Sequence, residues 1–404
     1  MRGALLRGAL LRGVRERVKR YCGKWTLDEC KKYKLTILPF SHSPIFLSPV
    51  QFISLPRPSQ ERPSVPNEIL KKWCRGKVVF FSVVIPTYNR LPILEKCLRS
   101  LENQRLADMS MIKGYEIVLV DDGSSDGTLA WLASSADQFP HVRSLCQSHA
   151  GPAAARNLGV EQAKGDFIIF IDSDLVVTEN FLQAHADSLI QGQQIYSSDR
   201  LFTYGRVINT CNFDNPTAEP LKITDFSAAY FATGNVAIAR HWLEKAGLFD
   251  TRFQLYGWED LELGVRLKQL GLKLIKCPAA VGYHWHPPFA LEQIPNLIDK
   301  EIQRGRMGVL FYQKHPIWEV RMMIQMTWLH RLLWGILSLG GQANEHTLAP
   351  LIQWLIDQGK PQLAEQVARI FLNWYNVQGV YHAYAQNRAG GAGVAGEAGG
   401  KAKG

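Results

Sequence analysis

From about Lys77 onward this 404-residue sequence is constrained most by one alternation: short apolar runs, each ending in a polar or acidic cluster, separated by helix-patterned stretches. "VVFFSVVIP" reads as a buried strand stopped by Pro86, and residues 90–103 place Leu94, Leu98 and Leu101 on one helical face. "YEIVLVDDGSSDGT" reads as a strand, a Gly/Ser loop and a helix starting near Asp126. "VRSLC" is a third strand, "GPAAARNLGVEQAKG" an Ala-rich helix ended by Gly165, and "DFIIFIDSD" a fourth strand terminating in carboxylates. This order predicts an α/β fold, a mainly parallel Rossmann-like sheet with helices on both faces. Ligands of such sheets sit beyond the carboxyl ends of the strands. The polar clusters at 88–90, 121–125, 151–157 and 172–174 all fall there.

Past Phe181 the strand signals thin out. "YFATGNVAIAR" reads as a strand leading to a short helix, "GWEDLELGVRLKQLG" as a helix with Trp258, Glu259 and Asp260 at its start, and "LKLIKCP" as a further strand. Pro56, Pro58, Pro63 and Pro66 mark a linker ahead of the alternation. The expected divisions are a basic extension and linker over 1–77, the α/β domain over 78–289, a helical region over 290–388, and a disordered Gly/Ala-rich tail over 389–404.

Charge is distributed unevenly. The net charge is +10, yet residues 1–77 hold 17 Lys/Arg against 5 Asp/Glu, so the remainder is near neutral. That excludes nucleic acid as the expected substrate of the core, and leaves the extension as a solvated tail or a peripheral contact with an anionic membrane surface. Seven cysteines without close pairing suggest reduced thiols and a cytoplasmic protein, not a disulfide scaffold or zinc site. The opening "MRGALLRGALLRG" is not expected to be a signal peptide, because Arg7 and Arg12 interrupt its apolar run. Residues 322–340 contain Gln325, His330 and Arg331 and predict an amphipathic or buried helix instead of a membrane span.

Several residue patterns carry chemistry. Asp172-Ser173-Asp174 at a strand end suits a divalent cation that bridges a diphosphate, since Mg²⁺ and Mn²⁺ take carboxylate and phosphate oxygens. Alone, the pattern is equally a solvated acidic loop. Asp121 and Asp122 either cap the following turn or meet a nucleobase N–H or ribose hydroxyl. Arg156 and the free amides at the start of its helix favour a nearby anion. Glu259 and Asp260 open a helix, where an ionised base is stabilised, and Trp258 in an exposed loop would stack on a sugar. His284 and His286 are expected to alternate across an extended segment, so that only one of them faces the site as a third metal ligand.

Taken in order, "SVVIPTYNR", "EIVLVDDGSSDGT", "GPAAARNLG", "GDFIIFIDSD", "TGN" and "GWEDLELGVRL" resemble glycosyltransferase family 2, with its GT-A fold, over about half the chain. The resemblance implies an inverting enzyme that moves a sugar from a nucleotide-sugar, by family frequency a UDP-sugar, to an acceptor hydroxyl. It implies a Mn²⁺ or Mg²⁺ cofactor, a saccharide, lipid-linked or protein acceptor, and a place in polysaccharide biosynthesis. By the same resemblance Pro86, Tyr88, Arg90 and Asp122 contact the nucleoside and Arg156 the diphosphate region. Asp172 and Asp174 form the Asp-x-Asp motif, Asp174 most directly on the metal; His284 fits the histidine that completes the coordination, with His286 left open as the alternative. Thr233, Gly234 and Asn235 lie beside the donor sugar. Asp260 is the general base and Glu259 its neighbour on the acceptor. Two other enzyme classes fit less well. A haloacid dehalogenase-type phosphatase needs its Asp-x-Asp on the first strand, and a nicotinamide-binding domain needs G-x-G-x-x-G where "IPTYNR" stands. A non-catalytic nucleotide- or glycan-binding module of the same fold would not need Asp172, Asp174 and Asp260 together.

Overall fold

The structure, a computed structural model, describes residues 79–107, 112–222, 225 and 229–398; the basic extension and its linker lie outside the described residues. Strands β1 (Val79–Thr87), β2 (Ile112–Asp121), β3 (Val142–Cys146) and β4 (Phe167–Ile171) alternate with helices α1 (Leu91–Glu102), α2 (Thr128–Ser134) and α3 (Pro152–Gln162). There follow β5 (Leu175–Val177), α4 (Phe181–Tyr196), β6 (Leu201–Thr210), β7 (Asn235–Ala239), α5 (Arg240–Ala246), α6 (Glu259–Gln269) and β8 (Lys273–Trp285). All eight strands form one sheet in the order β3-β2-β1-β4-β7-β6-β8-β5.

The first four strands are parallel, as the alternation predicts, and so are β6 and β8. The later half is mixed, because β7 runs antiparallel to both β4 and β6, and β5 antiparallel to β8. Both faces are covered. Phe81, Val83 and Ile85 of β1 point to one core with Leu94 and Leu98 of α1 and Phe181 of α4. Val84 points the other way, to Ile168, Phe170 and the small residues of α3. Each such fully buried side chain contributes about 1.5–3 kcal/mol relative to exposure. The Ala-rich character of α3 is a matter of space: a Cβ on Gly159 would lie 2.4 Å from Val84 Cγ1.

The helical region comprises α7 (Ile294–Lys314), α8 (Trp318–Met323), α9 (Trp328–Leu337), α10 (Ala349–Asp357) and α11 (Pro361–Ala398). Val309 and Phe311 of α7, Val320, Ile324 and Val380 share a core with Phe253 and Trp258 beside α6. Glu262 of α6, fully buried, accepts from Arg266, His315 (2.8 Å) and Lys314 (2.9 Å), so a buried charge network joins α6 to the end of α7.

Candidate functional site

The strand ends predicted to converge do so. β1–β4 finish along one edge of the sheet. Because β7 is antiparallel to β4, with Asn235 opposite Ile171, the residues just before β7 reach that edge too. β5 is antiparallel to β8 with His284 opposite Leu175, which sets His284 against the Asp172–Asp174 turn.

Asp172, Asp174 and His284 each offer a ligand atom, and these atoms lie within 4.8 Å of one another. His284 Nε2 is 3.2 Å from Asp174 Oδ1, and Arg90 Nη2 is 3.9 Å from Asp174 Oδ2. Burial opposes the charge on Asp174, but His284 and Arg90 outweigh it and hold the carboxyl below its ordinary range. Burial likewise opposes charge on His284, and Asp174 prevails in the upward direction. His284 Nδ1 lies 3.3 Å from Asn209 Oδ1, while Asn209 Nδ2 donates to Asp225 at 3.0 Å. With Nδ1 donating to Asn209, Nε2 is the nitrogen left facing the carboxylates, and it would give up its proton to ligate a metal. Asp174 Oδ1 is buried and has the His284 ion pair but no well-aligned donor. Two carboxylates and an imidazole so placed suit a divalent cation of the Mg²⁺/Mn²⁺ type.

Facing them is the start of α6. Gly257 (φ 93°) and Trp258 (φ 79°) turn the chain sharply, so Glu259 and Asp260 occupy the first helical turn. Arg156, buried in α3, donates from Nη1 to Glu259 Oε1 at 3.0 Å and from Nη2 to Asp172 Oδ1 at 3.1 Å. Asp260 Oδ1 accepts from the Leu261 amide at 2.7 Å. Desolvation, then the neighbouring Glu259 charge, push the Asp260 carboxyl up to about 7 against the opposing pull of Arg156. A carboxyl in that range can exchange a proton at neutral pH.

At the ends of β1 and β2, Thr87 and Asp121 are register partners, and both are buried. Asp121 Oδ1 accepts from the Ser124 amide, whereas Asp121 Oδ2 and Thr87 Oγ1 have no partner. Asp122 is otherwise disposed: its oxygens accept from the Ala150 and Gly151 amides, both at 2.9 Å, and from Gln147. It therefore braces the loop that leads into α3. Tyr88, half exposed, stacks on His149 with ring centroids 4.3 Å apart, next to Pro86 and Thr87. Ser173 is buried within the acidic turn, Thr233 is buried beside it in sequence to Gly234, and a Cβ on Gly234 would lie 3.3 Å from Asp172 Oδ2.

Three expectations need correction. Trp258 is only 6% exposed; its Nε1 donates to the Arg304 carbonyl at 2.7 Å and its ring packs near Phe311, so it anchors α7 and offers no open face to a sugar. The Asn235 side chain turns into the sheet, donating to the Arg206 and Ala280 carbonyls and accepting from His185 Nε2, which leaves nothing for a sugar. His284 and His286 share a side, their rings 6.2 Å apart, as residues two apart on one strand do. What removes His286 from the carboxylates is the end of β8 at Trp285, beyond which its Nδ1 meets Cys211 Sγ at 3.6 Å. Residue patterns alone also missed Asn209, His149, Thr87 and the exposed Tyr256 near Glu259. Tyr256 was detectable as an aromatic just before the Gly257 turn; the other three depend on long-range pairing.

Most of the unpartnered buried side-chain atoms gather here. Among the described residues eight such atoms lack a hydrogen-bond partner, and five of them, Thr87 Oγ1, Asp121 Oδ2, Asp174 Oδ1, Glu259 Oε2 and Arg156 Nε, belong to this edge; Arg143 Nε, Gln194 Nε2 and Trp285 Nε1 do not. Buried polar atoms are ordinarily satisfied, so such a cluster marks a ligand surface.

Residues 82–246 match the model of "Glycosyl transferase family 2". A chondroitin synthase of Pasteurella multocida (strain Pm70) is 26% identical over 295 residues, covering 64% of this chain and 30% of that protein. A chondroitin synthase of Escherichia coli is 28% identical over 244 residues, covering 51% of this chain and 35% of its own length. The chain thus spans about a third of the length of these curated relatives. A solved mannosyltransferase from Pyrobaculum calidifontis in complex with GDP-Man and Mn²⁺ is 18% identical, with a TM-score of 0.48 over 77% of this chain and 93% of that one. Residues 82–246 are thus similar to glycosyl transferase family 2.

Proposed function

We propose that the protein is an inverting glycosyltransferase that moves a sugar from a nucleotide-sugar, a UDP-sugar in the first instance, to an acceptor hydroxyl. The observation that carries this reading is the set of unpaired buried atoms strung from Thr87 and Asp121, past Asp174, to Glu259, with the similarity to that family supplying the reaction class. In this reading residues 78–289 form the catalytic domain. Thr87, Asp121 and the Tyr88 ring receive the nucleoside, with Pro86, Arg90 and Asp122 shaping its pocket. Asp172, Asp174 and His284 would hold Mn²⁺ or Mg²⁺, which supplies Lewis-acid neutralisation of the diphosphate. Thr233 and Gly234 line the donor-sugar side against Asp172. Arg156 fixes Asp172 and Glu259 relative to one another.

Asp260 then accepts the proton of the acceptor hydroxyl as that oxygen attacks the anomeric carbon and the bond from that carbon to the nucleoside diphosphate breaks, releasing the diphosphate; Glu259 Oε2 holds a second acceptor hydroxyl. One displacement inverts the centre without a covalent sugar on the protein. Relatives named chondroitin synthase and hyaluronan synthase support a saccharide acceptor and polysaccharide biosynthesis; a cytoplasmic site of action belongs to the same proposal. No helix among the described residues is long and apolar enough to cross a membrane. The test is thermal shift across UDP-, GDP- and TDP-sugars with Mn²⁺ or Mg²⁺, followed by assay of nucleoside diphosphate release. UDP-sugar should stabilise the chain only with metal; absence of stabilisation and release with every donor would refute the reading.

A further inference from the structure

Helix α9 is inside out. Trp328, Leu329, Leu332, Leu333, Ile336 and Leu337 recur at a spacing that covers about half its circumference, and every one of them is exposed, Trp328 at 73%. No residue of the helix is buried. The opposite side carries its less apolar residues inward. Arg331 lies over the Tyr381 ring at 5.0 Å, Trp334 Nε1 donates to Gln325 at 2.7 Å, and Gly335 sits close to Trp374. An ordinary surface helix turns its apolar stripe to the core; this one holds itself to the protein by its polar side and presents the stripe outward. The surface continues onto Trp318, Met322 and Met323 of α8 and onto Leu339 just after α9, all exposed.

We propose that α8 and α9 seat the protein on an anionic lipid bilayer, with α9 lying in the plane of the interface. Ten residues of helix rise about 15 Å, too short to cross a bilayer but suited to lie in it. Glu319 on α8 is met by Lys268 at 3.4 Å, no other Asp or Glu occurs before Glu345, and Arg321 and Arg331 are exposed. That charge complements anionic headgroups. It disfavours a symmetric pair of copies, which would set Arg321 and Arg331 against their counterparts with Glu319 as the one acid of these two helices. Trp318 and Trp328, each exposed by more than half, have the amphipathic rings that settle at headgroup depth. The surface belongs to the described fold and is separate from the basic residues 1–77.

The full chain is tested by flotation with vesicles of phosphatidylcholine containing phosphatidylglycerol, and by quenching of tryptophan fluorescence with brominated lipid. It should float with these vesicles, and part of the quenching should disappear in Trp328→Phe. The double variant Leu329→Glu/Leu333→Glu should lose binding by about tenfold or more, with an unchanged thermal midpoint because both positions are exposed. Its metal-dependent donor hydrolysis should also be unchanged, which separates this proposal from the transfer reading. Three results would overturn it: a parent chain that ignores the vesicles, a double variant that binds like the parent, or a parent dimer that the variant converts to monomer without any change in lipid binding.

Discussion

Asp260→Asn separates stability from chemistry. The carboxyl moves from an ordinary 3.8 to about 7 through desolvation and the Glu259 charge. A raised value means that the folded chain binds the proton more tightly than the unfolded chain. The stabilisation is therefore complete below the unfolded value and is lost as pH rises through about 7. The full interval corresponds to at most about 4 kcal/mol. Asn keeps the shape without the charge but adds an amide donor, so a recovery of about 1–2 kcal/mol at alkaline pH is expected, or a few degrees in thermal midpoint. Transfer should move the other way, falling by about 10²–10⁴-fold, because no base remains for the acceptor proton. In the metal-loaded parent, kcat/KM should rise with pH to a plateau with a midpoint below the metal-free value of about 7, because positive charge at Asp172 relieves part of the repulsion. Calorimetric melting of metal-free protein across pH, with single-turnover transfer on both proteins, measures all three. A variant less stable than the parent at alkaline pH would refute the account of burial and repulsion, and near-parental transfer would remove Asp260 as the base.

Asp174→Ala should abolish metal-dependent donor binding by calorimetry, and His284→Ala should raise the Mn²⁺ concentration needed for donor release by about tenfold or more; His286→Ala should titrate like the parent. Gly205→Ala should destabilise the fold by about 1–3 kcal/mol in thermal or urea unfolding, because its Cβ would lie 2.3 Å from the Asn235 amide. Trp258→Ala should cost about 3–5 kcal/mol of stability, whereas a sugar-stacking tryptophan would raise KM and leave the melting point alone.

Where the site lies was legible in the sequence; how its side chains are used was less so. The acidic ends of β2 and β4 and the Glu259–Asp260 pair announce a site together, since each alone is equally a solvated or capping acidic turn. Asp121 and Asp122 look equivalent on paper. The path of the 147–151 loop, whose amides saturate Asp122 and leave Asp121 with a free oxygen, distinguishes them. Trp258 was misread because its partner carbonyl, Arg304, is 46 residues away on α7. Asn235 was misread because its partners come from β6, β8 and α4. Residues 322–340 are amphipathic as expected, although two helices interrupted at Gln325 (φ 59°) replace one, and no local pattern tells which way the apolar side of α9 faces.

Arg156 connects the two halves of the site. A lysine would bring a point charge, but a planar guanidinium has two Nη atoms, one on Asp172 and one on Glu259, so a single side chain fixes the spacing of the metal-side and acceptor-side carboxylates. The fork lies 5.7 Å from the Phe249 ring and cannot swing away without leaving a buried cation unpaired. Its one charge is shared between two carboxylates. Burial, and after it the residual repulsion from Glu259 and, to a lesser degree, Asp172, keeps Asp260 protonated into the neutral range. Positive charge added at Asp172 would reduce that repulsion. The readiness of Asp260 to accept a proton is thus tied, through Arg156 and across the cleft, to the charge state of the Asp172–Asp174 turn.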